Sequence, residues 1–186
     1  MRFNSSVTTR VAMSQFNQVK TKLALGLISL GALSFFISSH GAENLPVDWN
    51  LDGELSVTIE GDRRIVKMAD NVRVTQGSLL ITGDTAVFEY TIDTEELIRI
   101  TMHGTPVEYQ QQLDGDEGNV TGNSDTLILY SDELTAESIV EMIGNAFIQS
   151  PTSTMKCATI TYVTERDLIR EAEGPCEGAL SSAPGQ

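Results

Sequence analysis

The chain has 186 residues, enough for one domain plus an export segment, and carries 26 acidic against 12 basic residues for a net charge of −14. Such a surface repels nucleic acid and anionic headgroups at long range, which excludes a nucleic-acid partner and requires any anionic amphiphile to be held through its apolar part. No GxSxG, HExxH, phosphate-binding loop or dinucleotide fingerprint occurs, and no cofactor is implied.

In chain order, residues 1–42 come first and differ from the rest. They hold Arg2, Arg10, Lys20 and Lys22 and no acidic residue, then the apolar run Leu23 to Ser38, then the small residues of "SHGA". This basic–apolar–small order predicts a secretory signal over residues 1–42, cleaved after Gly41 or Ala42. The apolar run is shorter than the ~20 residues of a membrane span. An uncleaved N-terminal anchor is the alternative, and Met13 is an alternative start. Cleavage would remove four of the 12 basic residues and none of the 26 acidic ones, so the exported part, 43–186, is more acidic than the whole.

After residue 50 the apolar residues alternate, β-branched residues are frequent, and turn residues recur. In "TAVFEY", Ala86, Phe88 and Tyr90 share one face. In "LIRITMHG", Ile100 and Met102 lie opposite Arg99 and Thr101; in "VEY", Val107 and Tyr109 lie together. "TLILY" pairs Ile128 with Tyr130, leaving Leu127 and Leu129 opposite. "SIVEMIGNAFI" places Val140 with Met142 and then turns at Gly144-Asn145. Polar segments such as "IDTEE", "SDELTAE", "SPTS" and "TERD" separate the strands.

"NVRVTQGSLLITGDTAVFEY" (Asn71 to Tyr90) returns 74 positions later as "NAFIQSPTSTMKCATITY" (Asn145 to Tyr162), matching Val74 with Ile148, Ile81 with Met155, Ala86 with Ile160 and Phe88 with Tyr162. A third copy ends at Tyr130, and each copy continues into an outgoing strand ending in Gly104, Gly144 or Gly174. Each hairpin has an apolar face that it cannot bury alone. Stacking the units buries a continuous strip between two sheets.

Little in the exported part points to catalysis. Its one histidine, His103, sits at a strand end. "DGDEG" (114–118) lacks EF-hand spacing and reads as a solvated turn, not a metal site. A paired-carboxylate glycosidase would have to use one pair among 26 acidic residues that nothing distinguishes. Cys157 and Cys176 both follow the signal, where two cysteines pair more often than they stay free. Folding the strand into Tyr162 back about Glu165-Arg166 sets Cys157 opposite about position 174, so a Cys157–Cys176 disulfide is expected.

The run Asn71 to Tyr90, followed by "GTPVEYQQ", "GNAFIQ" and "ATITYVTERDLIREAEG" in order, resembles the LptA/OstA-like family of periplasmic lipopolysaccharide-transport proteins. The likeness covers about residues 65–174; the preceding "DWNLDGELSVTIEGDRR" departs from it. The resemblance implies an all-β open β-jellyroll over 43–186, a V-shaped pair of antiparallel sheets built from repeated hairpins. It implies periplasmic location, no enzymatic activity and lipid A acyl chains carried between the sheets. Its implied partners are lipopolysaccharide, an inner-membrane LptC-like jellyroll, an outer-membrane LptD-like N-terminal jellyroll, and further copies stacked head to tail. By position, Ile81, Tyr109 and Met142 fall where the family points apolar residues into the groove. With the phases above, the expected lining is Ile81, Ala86, Phe88, Ile100, Tyr109, Ile128, Tyr130, Val140 and Met142.

A lipid acyl chain of about ten methylenes, each worth ~0.8 kcal/mol when buried, cannot cross water uncovered. An apolar strip meets that need without specific chemistry. The rival readings are an anchored LptC-like member of the same pathway and a structural β-repeat protein with a dry core.

Overall fold

A computed structural model describes residues 46–113 and 118–180. The expected signal over 1–42 and most of the "DGDEG" turn lie outside the described residues. The described chain is all-β: ten strands and one 3-10 turn, Thr164–Arg166. They are β1 (Asp48–Asn50), β2 (Leu55–Glu60), β3 (Arg63–Gln76), β4 (Leu79–Thr91), β5 (Leu97–Gln112), β6 (Asn119–Ser131), β7 (Ser138–Gln149), β8 (Ser153–Val163), β9 (Leu168–Glu173) and β10 (Glu177–Leu180). The fold is an open antiparallel β-jellyroll, as expected.

All ten strands belong to one sheet in which β3 to β8 form a meander. Each of the five pairings in the meander changes register partway, between Ala69 and Val72, Thr82 and Thr85, His103 and Val107, Asn123 and Thr126, and Ile143 and Ala146. Aligned across neighbouring strands, the irregularities form a crease. One leaf holds β2, residues 63–69, 85–91, 97–103, 126–131, 138–143 and 159–163, and β9. The other holds β1, residues 72–76, 79–83, 107–112, 119–124, 146–149 and 153–157, and β10. The sheet therefore forks at both ends.

The crease corrects one expectation. Gly104 and Gly144 do not end strands, and Gly144-Asn145 is not a turn; β5 and β7 run on through them to Gln112 and Gln149. Gly144 (φ 76°) and Asn145 (φ 49°) are left-handed, as are Asp70 (φ 65°) and Asn71 (φ 53°) on β3. Two such residues insert a bulge that bends a strand without ending it. Side chains brace the bend from outside. Asn71 Nδ2 donates to Asp52 Oδ2 and Asn145 Nδ2 to Asp125 Oδ2, both at 2.9 Å, and Thr105 Oγ1 donates to Asp84 Oδ2 at 3.2 Å. Asn71 and Asn145 are 74 positions apart, so the internal repeat is a shift of four strands along the sheet, carrying β3–β4 onto β7–β8.

Inside the bend, two glycines make room for methionines. A Cβ on Gly83 would lie 2.7 Å from Met102 Cγ, and one on Gly122 would lie 2.7 Å from Met142 Cε and 2.8 Å from the Phe147 carbonyl oxygen. The methionine is flexible, but the carbonyl is backbone and cannot step aside without moving β7. Gly122→Ala is expected to destabilise the protein by about 1–3 kcal/mol through overpacking. A lowered urea midpoint with unchanged m-value would show this; an unchanged midpoint would mean that the crease is slack.

Candidate functional site

The inward face follows from strand register. In the first leaf, one ladder of directly paired residues runs Val57, Val66, Phe88, Ile100, Leu129, Val140, Tyr162, Ile169. Beside it a second runs Leu55, Met68, Ala86, Met102, Leu127, Met142, Ile160, Ala172. The facing leaf supplies Trp49, Val74, Ile81, Tyr109, Gly122, Ile148, Met155, Gly178. No charged residue interrupts any of the three ladders. The adjoining outward ladder, Ser56, Lys67, Val87, Thr101, Ile128, Glu141, Thr161, Glu171, is largely polar.

Seven of the nine expected lining residues are inward and buried: Ile81, Ala86, Phe88, Ile100, Tyr109, Val140 and Met142, none more than 2% exposed. Ile128 and Tyr130 are not, which is a correction. Ile128 pairs with Thr101 and Glu141 on the outer face. Tyr130 pairs with Arg99 and Ile139 there, and the Arg99 guanidinium lies 5.3 Å from its ring centroid. Leu127 and Leu129 take the inward places. "TLILY" is apolar on both faces, so alternation carries no phase, and equating Tyr130 with Tyr90 gave the wrong one. Pairing with Ile100 and Met102 decides the matter. Val74, Ile148, Ile160 and Tyr162 also line the interior; their signal was the 74-residue repeat.

In the middle, the leaves close on each other. Tyr109 and Tyr162, from opposite leaves, meet edge to face with centroids 6.4 Å apart. Their hydroxyls escape the apolar interior by local bonds: Tyr109 Oη donates to Gln111 Oε1, and Tyr162 Oη donates to Asp167 Oδ1 at 3.0 Å. At the ends the strip is uncovered. Trp49, Leu55 and Val57 are 46%, 41% and 54% exposed at the N-terminal fork, and Leu180 is 84% exposed at the C-terminal one. Chemically the interior offers area and little else. His103 lies on the outside of the bend with Nδ1 2.9 Å from Thr126 Oγ1. The expected disulfide is present between Cys157 and Cys176, and the chain turns back where expected, through the Thr164–Arg166 turn.

Burial raises both interior tyrosine pKa values far above the usual range, helped at Tyr162 by its bond to Asp167. A pKa raised on folding contributes stability that is complete below the unfolded value, about 10, and is lost as pH climbs toward the folded value. The unfolding midpoint is therefore expected to hold to about pH 10 and decline above it. Tyr162→Phe should cost about 1 kcal/mol at neutral pH and make the alkaline decline shallower. Urea titrations from neutral to alkaline pH check both; an identical decline in the variant would contradict the assignment.

Residues 56–167, more than half of the chain, match the family described as LptA/(LptD N-terminal domain) LPS transport protein. No curated protein matches the chain. Among solved structures, it is similar to LptH, described as the LptA homologous periplasmic component of the conserved lipopolysaccharide transport device from Pseudomonas aeruginosa. That likeness has a TM-score of 0.59 at 18% identity over 74% of this chain and 96% of the other, and it shows the fold.

Proposed function

The chain belongs to the LptA/LptD N-terminal family of lipopolysaccharide-transport proteins, and on that premise we propose that it is a periplasmic bridge component that carries lipopolysaccharide by its acyl chains between the two leaves. The observation that carries this reading is the set of three ladders. They cross the sheet without a charged residue and, at the N-terminal fork, end uncovered in Val57, Leu55 and Trp49. A dry core needs no apolar continuation onto exposed edge strands, whereas a path for acyl chains does.

Acyl chains enter at the forks and part the leaves as they advance. The middle of the interior yields because Met68, Met102, Met142 and Met155 line it; unbranched thioether side chains repack at low cost. Met102 and Met142 pack into the room that Gly83 and Gly122 leave for want of a Cβ. Binding is by area, so lipid slides, and the sugars and phosphates stay in water. The lining in this reading is Ile81, Ala86, Phe88, Ile100, Tyr109, Leu127, Leu129, Val140 and Met142.

Assembly follows from parity. Within the first leaf, the antiparallel order from β2 to β9 has eight segments, and the second leaf likewise has eight from β1 to β10. With an even number, a copy translated along the stack presents its first strands antiparallel to the last strands of its neighbour. The contact is heterologous and propagates, toward an LptC-like jellyroll at the inner membrane and an LptD-like N-terminal jellyroll at the outer. Residues 1–42 act as the export signal, and 43–186 as the working domain.

The closed middle of the interior favours a second reading, a structural module that takes no ligand. Photo-crosslinking in cells separates the two. Probes replacing Phe88, Leu127 or Met142 are expected to capture lipopolysaccharide, and probes at Thr101, Ile128 or Glu141 much less. Equal capture on both faces would reject the groove, and no capture at any site would leave the structural module.

A further inference from the structure

Outside the meander the chain changes leaf twice, once from β1 to β2 and once from β9 to β10. The first crossing is pinned by hydrogen bonds. Asp52 N donates to the Asp70 carbonyl at 2.8 Å, Ala69 N to the Glu54 carbonyl at 3.0 Å, and the Asn71 amide to Asp52 at 2.9 Å. The second crossing, Gly174-Pro175-Cys176, is pinned by the Cys157–Cys176 bond. Cys157 lies beside the crease, where Ala146 pairs with it, and Thr159, two residues on, already pairs with β9. The disulfide thus stands at the point where the last strand passes from one leaf to the other.

What it holds is small. β10 is four residues, all exposed, paired on one side with residues 153–156 of β8 and, among the described residues, with no strand on the other. An edge strand of that length has little burial to keep it in place. Yet it is the whole C-terminal edge of its leaf.

We propose, resting on the assembly reading above, that the Cys157–Cys176 disulfide controls docking at the C-terminal fork. When oxidised, the fork presents β9 and β10 together and accepts β2 and β1 of a second copy; when reduced, β10 leaves β8 and only one leaf can continue. The partner is committed by the ladder. Carried straight across, the third ladder ends in Gly178 and resumes with Trp49 of the incoming copy. The largest side chain of that row, 46% exposed in the free protein, then lies beside a glycine, which leaves room for it.

The redox step balances simply. The two thiols lose two protons and two electrons to the disulfide of a thiol–disulfide oxidoreductase, which becomes a dithiol, and the S–S bond forms. The reverse step needs access to sulfur, and Cys176 is exposed while Cys157 is buried. A surface cavity of about 510 Å³, lined by Asn145, Lys156, Pro175 and Glu177 among others, opens at the bond. The fork is then complete only after oxidation, which ties assembly competence to passage through an oxidising compartment.

Folded, oxidised full-length mature protein would be compared with the same material after reduction and alkylation. Hydrogen exchange reads β10 directly: the 177–180 amides are expected to lose protection on reduction while β3 to β8 keep theirs. Unchanged protection at 177–180 would overturn the proposal whatever the protein's association state. Sedimentation velocity reads docking. Self-association is expected to weaken at least about tenfold on reduction, in Ala179→Pro with the disulfide intact, and in Trp49→Ala with β10 protection intact. Equal association in both redox states would overturn the docking control and leave the bridge reading standing. No association of the oxidised protein would overturn the assembly reading on which the docking control rests.

Discussion

The structure depends on one constraint: an open antiparallel sheet with a continuous apolar face must cover that face using only itself. Among the described residues no α-helix lies on it. The crease is the solution. Five aligned changes of register, one in each pairing of the meander, bend the sheet so that its two halves become each other's cover. Left-handed residues at Asp70-Asn71 and Gly144-Asn145 supply the bend, and the Asn71–Asp52 and Asn145–Asp125 bonds hold its angle. The buried interior exists because of this bend. A straight meander of the same strands would leave all three ladders in water.

A self-covering sheet has a further consequence. The cover is complete in the middle and fails at the ends, where β1, β2 and β10 are exposed along their whole length and β9 at every residue but Ile169. Uncovered apolar residues at an unpaired edge are normally a hazard for an exported protein. Here the N-terminal end carries them at the ends of the three ladders, in Val57, Leu55 and Trp49, the C-terminal end carries Leu180 beside the ladders, and the even number of segments gives both ends compatible strand direction. In the proposed assembly, the feature that would make an isolated sheet aggregate is the one that extends the stack. Its strong negative charge sets a long-range repulsion against indiscriminate contact while leaving the close, salt-screened edge contact available.

The interior combines order at the edges of the leaves with yield along the crease. Phe88, Ile100, Tyr109 and Tyr162 are large and fixed by packing, and the two tyrosine hydroxyls find partners at the rim. Along the crease the methionines sit over Gly83 and Gly122. Such a distribution suits the acyl-chain cargo proposed above, defined by length and apolarity more than by shape, since a rigid core would admit one occupant and a wholly soft one would not hold the leaves in register.

The sequence by itself determined the all-β class, the repeat, the inward phase of most strands and the cysteine pair. Period-2 alternation identifies a half-buried strand without reference to its neighbours, as in Ala86-Val87-Phe88. The 74-residue repeat matched residues that occupy equivalent ladder positions, because a four-strand shift along a regular sheet preserves phase. Three matters were left to the tertiary structure. Gly144-Asn145 read as a turn, since left-handed residues serve turns and bulges alike and only the continuing pairing of Ala146 with Cys157 tells them apart. Ile128 and Tyr130 read as inward, because a segment apolar on both faces has no phase until Ile100 and Met102 on β5 impose one. The forked ends were not legible at all: whether Leu55, Val57 and Trp49 are covered depends on how far the opposite leaf extends. That is a property of two edges brought together in space and of no local stretch of chain.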